Sequence, residues 1–240
     1  MKLAFKILRW AVGLFVASTI LVTVLYRFVP VYFTPLMFIR CIETGSFTFH
    51  HHWVPLSDMS PHMPVAVMAS EDQRFLLHHG FDYEAIEKAA VHNIRHKGGR
   101  KHGASTISQQ TAKNVFLWPG RSWVRKGFEV YFTALIELLW SKQRIMEVYL
   151  NSIEMGSAIY GVNACAENNF GKSAAELSRA DCALIAATLP NPRKFSSKYP
   201  SAYMRKRQSQ IQHEMKFIPA FPREGQDYDP HTAAGGVYAH

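Results

Sequence analysis

The most prominent pattern along the chain is an apolar run near the N-terminus, where seventeen residues without a charge extend from Trp10 to Tyr26. Three basic residues precede this run and Arg27 follows it. A helix needs about 20 apolar residues to cross a hydrocarbon core, and flanking arginines can reach toward the headgroups. We therefore predict a single transmembrane anchor over residues 10–29.

A cleaved signal peptide is the main alternative for this run. Its apolar region is usually shorter and ends at a small-x-small cleavage site, whereas Tyr26-Arg27-Phe28-Val29-Pro30 follows here. An uncleaved anchor is therefore favoured. By the positive-inside tendency, residues 1–9 lie in the cytoplasm and the bulk of the chain lies across the membrane. The segment 30–52 begins with apolar and aromatic residues, which is typical of a chain that lies in the membrane interface.

Beyond this segment, apolar residues recur at helical spacing, and no alternation long enough for a strand is present. The predicted fold is mainly helical, with one domain over residues 53–220. A tail over residues 221–240 has no periodicity and is predicted to be disordered. Besides a helix near Glu71, the predicted helices cover about 82–93, 105–114, 121–140, 142–151, 162–170, 178–188 and 201–216.

Glu71, the first of two adjacent acids, opens the stretch with the most distinctive chemistry. Ser60 and Pro61 are typical of a helix start, which would place Glu71 at the C-terminal end of that helix, at the negative pole of its dipole. Apolar neighbours would raise the pKa of its carboxyl there, as a general base or acid near neutrality requires. In the competing interpretation, Ser70 and Gln73 form a capping box and Glu71 is an ordinary acid of a new helix. This stretch alone leaves both interpretations open.

The chain of 240 residues has a net charge of +9 and a pI near 9.5. This charge indicates an anionic partner, which could be a nucleic acid, a lipid headgroup surface or a phosphorylated substrate. The three cysteines follow no metal spacing and form no disulfide framework, although a bridge between Cys165 and Cys182 stays open. The run His50-His51-His52 has no cysteine or acid pair nearby, so a solvated linker is favoured over a metal site.

A basic, glycine-rich loop precedes the helix that Ser105 is predicted to cap. Gly98 and Gly103 have the spacing of a phosphate-binding P-loop, but Ala104 stands where its lysine belongs and no strand precedes it. A glycine-rich loop leading into a helix N-terminus, with Lys113 two turns along, is still an anion site by geometry. The alternative is a mobile surface loop whose charges are solvated.

The following helix gathers several basic residues around one acid. Arg125 and Glu129 are one turn apart, which by itself indicates a surface pair worth roughly a few tenths of a kcal/mol. Arg121 and Lys126 crowd the same acid in an otherwise apolar helix. Such a cluster is unfavourable unless an anion or a metal ion joins it, so it is a second candidate site.

Five sequence blocks combine these features. They are Glu71-Asp72-x-x-Phe75-x-x-His78-x-Gly80; Gly103-Ala104-Ser105-Thr106-Ile107-Ser108-Gln109-Gln110-x-x-Lys113-Asn114; Arg125-Lys126-x-x-Glu129 with Arg121 ahead; Lys142-x-x-Ile145-x-x-x-Tyr149-Leu150-Asn151; and the stretch from Arg179 to Pro192. In this order they resemble the monofunctional biosynthetic peptidoglycan glycosyltransferases of glycosyltransferase family 51, which are similar to the polymerase domain of class A penicillin-binding proteins. The resemblance covers roughly residues 53–212.

The resemblance implies a lysozyme-like helical glycosyltransferase domain behind a single N-terminal transmembrane helix. It implies a polymerase of cell wall synthesis that transfers the growing lipid-linked glycan chain onto the 4-hydroxyl of lipid II, with inversion and release of undecaprenyl pyrophosphate. The expected location is the bacterial cytoplasmic (inner) membrane, with the N-terminus in the cytoplasm and the catalytic domain in the periplasm. Expected partners are lipid II, the glycan chain, the membrane and cell-division or elongation proteins, with no nucleic acid.

The resemblance also implies a role for each matching residue. Glu71 is expected to be the general base. Glu129 is expected to be the second acid, which either holds a divalent cation such as Mg²⁺ or Mn²⁺ or orients the phosphate-binding cations. Lys113 and Arg121 are expected to bind the donor pyrophosphate. The residues expected to line the same cleft are Ser105, Gln109, Gln110, Asn114, Arg125 and Lys126.

Two rival functions are weighed against the polymerase. A lytic, lysozyme-like enzyme would cleave the same glycan with one acid of raised pKa, but it would not need several cations around a second acid. A non-enzymatic membrane-anchored scaffold, or a basic nucleic-acid binder, would explain the charge and the helices. It would leave the Glu71 block and the Glu129 cluster without a purpose.

Overall fold

The computed structural model describes residues 2–96, 103–120, 122–223 and 225–226, and within them the chain is mainly helical, as predicted. The helices are α1 (Lys2–Phe28), α2 (Pro35–Thr44), α3 (His62–Glu71), α4 (Tyr83–Arg95), α5 (Ile107–Phe116), α6 (Trp123–Leu139), α7 (Lys142–Ser152), α8 (Val162–Phe170), α9 (Arg179–Ala186) and α10 (Ala202–Glu214). The strands are β1 (His50–His51), β2 (Glu154–Gly156) and β3 (Ile159–Tyr160).

Helix α1 is 27 residues long and contains all but the last residue of the span predicted over residues 10–29. By length and composition it can cross a membrane. Its second half packs against α6 through specific polar contacts. The hydroxyls of Thr19 and Tyr131 are 2.7 Å apart, and the indole N–H of Trp140 donates to the carbonyl oxygen of Thr23 at 2.8 Å. Helix α1 is thus joined to the body of the protein by hydrogen bonds as well as by the chain.

The segment predicted to lie in the interface forms a short loop and then α2. The Thr34 side chain caps α2, and Gly45 ends it in the left-handed conformation. Leu36 and Met37 are buried against the domain, whereas the ring of Phe38 is exposed. One face of α2 therefore belongs to the folded domain, and the other face is free to contact a membrane surface.

The sequence pattern missed a small three-stranded sheet. Its strand order is β1-β3-β2, with β1 parallel to β3 and β2 antiparallel to β3. The prediction of a solvated linker at His50-His51 was wrong, because these residues form β1 and His51 Nε2 lies 3.0 Å from the Asn151 carbonyl oxygen. Strands of two or three residues are too short to produce a readable alternation.

Helix α3 lies at the centre of the core, packed against α9 and α10, while α5 packs between α6 and α7. The residues of α3 from Ala66 to Ala69 are almost completely buried. Between β3 and α8 the chain passes the end of α7 so closely that a Cβ on Gly161 would lie 2.6 Å from the Asn151 carbonyl oxygen. Gly161 also has φ +80°, so both the lack of space and the backbone conformation require glycine there.

The helix start predicted at Ser60 and Pro61 lies slightly later, because α3 begins at His62 with Pro61 at its N-cap position and no side chain caps it. Ser141, Ser178 and Ser201 each accept a hydrogen bond from the backbone of the helix that follows. For α5 the prediction was one residue early, because Thr106 rather than Ser105 is the cap and closes a capping box with Gln109.

The last described residues contain a further difference from the prediction. Phe221 stacks on Phe75 with ring centroids 6.3 Å apart, and Pro222 is buried. The start of the predicted disordered tail therefore packs on the core. The predictions for the rest of the tail, for the glycine-rich loop at 97–102 and for Arg121 fall outside the described residues, except for the short stretch around Gly225.

Candidate active site

Glu71 is the last residue of α3. This position confirms the first interpretation of the sequence, and the alternative that Ser70 starts a new helix is wrong. Because α3 is buried along its length, its end has little freedom to move. The Glu71 side chain is thus presented from a rigid element, at the helix pole that disfavours negative charge.

The Glu71 carboxylate accepts two hydrogen bonds. Gln110 Nε2 donates to its Oε2 at 2.9 Å, and Ser70 Oγ donates to its Oε1 at 3.3 Å. Burial raises the pKa of the carboxyl above its ordinary value, while these two hydrogen bonds and the charge of Arg207 lower it by less. The raised pKa is the property expected of a group that exchanges a proton near neutral pH.

Asp72 joins the end of α3 to the start of α5. Its Oδ2 accepts a hydrogen bond from the backbone N–H of Ile107 at 3.0 Å, and its Oδ1 lies 2.9 Å from His78 Nε2. The carbonyl oxygen of His78 accepts in turn from Lys142 Nζ at 2.6 Å. All three side chains are largely withdrawn from solvent. This buried network fixes the distance between Glu71 and the polar face of α5.

Helix α5 presents Gln110 and Lys113, three residues apart, on one face. Lys113 has no hydrogen-bond or ion-pair partner among the residues that the structure describes. Burial lowers the pKa of its ammonium group, and the charges of Glu129 and Glu71 counteract this shift. Lys113 therefore stands in the electrostatic field of both acids, as a mostly buried cation that is available to an anionic ligand.

Helix α6 contributes the second acid, with its cations. Arg125 Nη1 donates to Glu129 Oε2 at 2.6 Å, and Lys126 Nζ bonds to Glu129 Oε1. Arg125 is 9% exposed and Glu129 is 4% exposed. The interpretation as a surface pair was wrong, because Arg125 and Glu129 are buried, near enough to Lys113 for their charges to shift its pKa.

The remaining predicted site residues are distributed as follows. Ser105 borders a cavity of about 310 Å³ that Glu71 and Arg74 also line. Gln109 uses its side chain in the capping box of α5, and Asn114 is buried in the same helix. The structure thus brings Glu71, Gln110, Lys113, Arg125, Lys126 and Glu129 together.

Two groups of acids are relevant to a metal ion. Both oxygens of Glu129 are already bonded to cations, and a divalent ion there would be repelled by Arg125 and Lys126. Glu129 as it stands does not fit a metal ligand. Asp72, His78 and Asp82 offer ligand atoms within 4.8 Å of one another. The Asp72 oxygens there already accept from His78 and from a backbone N–H.

Sequence reasoning assigned no site role to three residues that the structure puts next to Glu71. Asp72 was part of a quoted block, but its bond to the backbone of α5 has no sequence signal. Tyr149 was also within a block, and it touches Gln110 through its hydroxyl. Arg207, on α10, lies 3.5 Å from the Ser70 carbonyl oxygen through Nη2. Contacts across 35 to 137 residues cannot be read from local patterns.

The site combines one carboxylate of raised pKa with a group of cations around a second acid. The carboxylate can accept a proton from a nucleophile. The cations can stabilise an anionic group that leaves. The fold and the site therefore define a helical enzyme of group transfer, joined to an N-terminal helix able to cross a membrane.

Comparison with known proteins identifies the family. A family model described as "Transglycosylase" matches residues 40–216. Proteins named "Biosynthetic peptidoglycan transglycosylase" are similar over most of their length. The one from Bacteroides thetaiotaomicron is 61% identical over 224 residues, covering 90% of each chain. The one from Bdellovibrio bacteriovorus is 52% identical over 217 residues, covering 89% of this chain and 85% of the relative. The chain belongs to the transglycosylase family, which confirms the predicted resemblance and the predicted class, a peptidoglycan glycosyltransferase.

Proposed function

We propose that this chain polymerises the glycan strands of peptidoglycan from lipid II, with Glu71 as the general base. The observation that carries this proposal is the position of Glu71, a carboxylate of raised pKa at the rigid end of α3, near Lys113 of α5, which in turn lies near the cations of α6. The relatives' names support peptidoglycan as the product.

In the proposed reaction, Glu71 takes the proton of the acceptor 4-hydroxyl. The freed oxygen attacks the anomeric carbon of the donor sugar from the face opposite the leaving group, so that the configuration inverts. A carbon–oxygen bond forms, the bond from the anomeric carbon to the pyrophosphate oxygen breaks, and its electron pair leaves with undecaprenyl pyrophosphate. A general base contributes about 10²- to 10⁴-fold to such a rate.

A pyrophosphate leaving group needs positive charge more than it needs a proton. Lys113 has no hydrogen-bond or ion-pair partner among the described residues, so it is the first candidate to bind the pyrophosphate. Arg125 and Lys126 stand on the same side, held by Glu129. These contacts support the second of the two roles expected for Glu129, that of orienting the phosphate-binding cations. Preorganised cations stabilise the departing charge without rearrangement during the reaction.

A metal requirement remains a separate prediction. A divalent cation would supply further charge neutralisation to the pyrophosphate. Any such ion would have to bind through substrate oxygens or displace a cation from Glu129. Polymerisation measured after chelation, and again after addition of Mg²⁺ or Mn²⁺, tests whether the chain needs it.

The proposed location is the cytoplasmic membrane, with α1 as the anchor and the catalytic domain in the periplasm. The Phe15 ring of α1 contacts Phe128, with centroids 5.8 Å apart, so the first half of α6 stands beside the apolar part of the anchor. At the start of α6, Trp123 is 92% exposed and Val124 is 67% exposed. Apolar side chains so exposed next to an anchor support contact with lipid. The cleft would then open near the headgroups, where lipid II presents its pyrophosphate.

The test is polymerisation of purified lipid II by the full chain in detergent, with Glu71→Gln and Lys113→Ala alongside. The unmodified chain is expected to form glycan polymer, and Glu71→Gln to be slower by about 10²-fold or more. Lys113→Ala is expected to slow polymerisation, because it removes a cation proposed to bind the donor pyrophosphate.

A rival outcome is cleavage of preformed glycan strands with no polymer formed. That result would identify a lytic enzyme and remove the need for a pyrophosphate site. Activity of Glu71→Gln equal to that of the unmodified chain would instead reject Glu71 as the base while leaving the polymerase function standing.

A further inference from the structure

Tyr149, on α7, lies one side chain away from Glu71. Its hydroxyl is 3.2 Å from Gln110 Oε1, and Gln110 Nε2 in turn donates to Glu71 Oε2 at 2.9 Å. Tyr149 is fully buried. We propose that Tyr149 is a positioning residue that holds the Gln110 amide, and through it the Glu71 carboxylate, in the orientation needed for proton transfer. This inference rests on the function proposed above.

The two ends of a glutamine amide are chemically different, because one oxygen accepts and one NH₂ group donates. The Tyr149 hydroxyl donates to Oε1, which leaves Nε2 as the end that faces Glu71. An amide turned the other way would direct its oxygen at the ionised carboxylate and repel it. Burial raises the pKa of the Tyr149 hydroxyl well above its ordinary value, and the charges of Glu71 and Asp72 add to this shift. The hydroxyl therefore keeps its proton and remains a donor.

The same hydroxyl also suits the state after proton transfer. Once Glu71 is protonated, its O–H needs an acceptor, and the Gln110 amide can turn to offer Oε1. Nε2 then points at Tyr149, whose phenolic oxygen can accept. A phenylalanine at 149 could do neither, although it would fill the same space. The Tyr149 hydroxyl can therefore serve both protonation states of the base. A residue needed only to fill the buried space would not require this hydroxyl.

Tyr149→Phe removes the hydroxyl and keeps the ring. Tyr160→Phe is a matched control, because Tyr160 is also fully buried and its hydroxyl has no hydrogen-bond partner among the described residues. Tyr160 lines a different cavity, beside Arg40 and Glu154. Loss of a buried hydroxyl is common to both variants, whereas loss of a contact to Gln110 occurs in only one.

The experiment measures kcat and KM for lipid II polymerisation by the full chain across pH, for both variants. For Tyr149→Phe we expect kcat to fall about three- to tenfold with little change in KM, as loss of one hydrogen bond predicts. The acid limb of the kcat/KM profile should move to higher pH, because Gln110 then stabilises the ionised carboxylate less well. Tyr160→Phe should keep the unmodified profile.

Gln110→Met provides a second, independent variant, since methionine fills the space of glutamine without its amide. It should move the acid limb in the same direction, and adding Tyr149→Phe to it should change nothing further. The inference would be overturned if the acid limb of Tyr149→Phe does not move. It would also be overturned if Tyr149→Phe lowers kcat by the same factor in the unmodified chain and in Gln110→Met. Absence of polymer from the unmodified chain would instead reject the proposed function itself.

Discussion

Gln110 Nε2 lies 2.9 Å from Glu71 Oε2, although the two residues are 39 positions apart in the sequence. One is the last residue of α3 and the other lies one turn into α5. A second hydrogen bond connects the same two helix ends, from the backbone N–H of Ile107 to the Asp72 carboxylate. Two connections between two helix ends restrict both distance and rotation, so Glu71 and Lys113 of α5 keep a constant relative position.

Glu71→Gln is expected to make the protein more stable at neutral pH while removing its activity. The folded-state pKa of Glu71 is above the unfolded value of 4.5. The unfolded chain then loses this proton first as the pH rises, so stability declines from about pH 4.5 up to the folded pKa and stays lower beyond it. Glutamine carries no charge and avoids this loss. Thermal unfolding at pH 7 should therefore show a higher Tm for Glu71→Gln.

The control for this prediction is pH itself. Below pH 4.5 the carboxyl is protonated in both states, and the two Tm values should converge. A difference that is the same at every pH would mean that glutamine stabilises by packing alone. An unchanged Tm at pH 7 would mean that the hydrogen bonds from Gln110 and Ser70 fully offset the effect of burial.

Glu129→Gln should destabilise the fold strongly, because it leaves Arg125 buried without its counter-charge. Removing one partner of a buried pair typically costs about 3–5 kcal/mol. Lys126 adds little to this figure, since its side chain is 40% exposed and can be solvated. Urea unfolding of the detergent-solubilised chain measures the loss.

Arg125→Met combined with Glu129→Leu separates stability from function in the same cluster. Replacing both charges by apolar residues should restore most of the stability lost in Glu129→Gln. Polymerisation should remain defective, because the cation that Glu129 orients is then absent. A double variant that is as unstable as the single variant would contradict the buried-pair account.

Gly80→Ala is expected to destabilise the protein by about 1–3 kcal/mol. Gly80 has φ +87°, and a Cβ there would lie 2.8 Å from Thr133 Cγ2. Thr133→Ser removes that methyl group, so it should recover part of the loss in the double variant. The parts due to the backbone conformation and to Glu137 Cγ, which would lie 3.0 Å from that Cβ, should remain. Full recovery of the Tm would show that only the contact matters.

The sequence predicted the features that depend on local order. The apolar run from Trp10 to Tyr26 follows from neighbouring residues, and the end of α3 at Glu71 is one of the two interpretations that those residues left open. Spacing alone indicated an anion site near Lys113 and a second candidate site around Glu129, whereas the roles of these two residues toward a pyrophosphate came from the resemblance. The residues beyond prediction were those whose partners are distant, namely Asp72 with Ile107 and Tyr149 with Gln110. Such contacts depend on tertiary packing, and a single sequence without a fold does not specify them.

The packing of α1 on the domain can be tested at Trp140, whose indole N–H donates to the Thr23 carbonyl oxygen at 2.8 Å. Trp140→Phe keeps an aromatic ring and removes the donor, so we expect the end of α1 to exchange its backbone hydrogens about three- to tenfold faster, as loss of one hydrogen bond predicts. Trp118→Phe is the control, since Trp118 is 43% exposed and its indole has no acceptor in the described part of the chain. Faster exchange near Thr23 in Trp140→Phe alone would show that this hydrogen bond helps to hold the end of α1 on the domain. Equal exchange in both variants would mean that the anchor is held by apolar contacts such as Phe15 with Phe128, and that the hydrogen bond contributes nothing measurable.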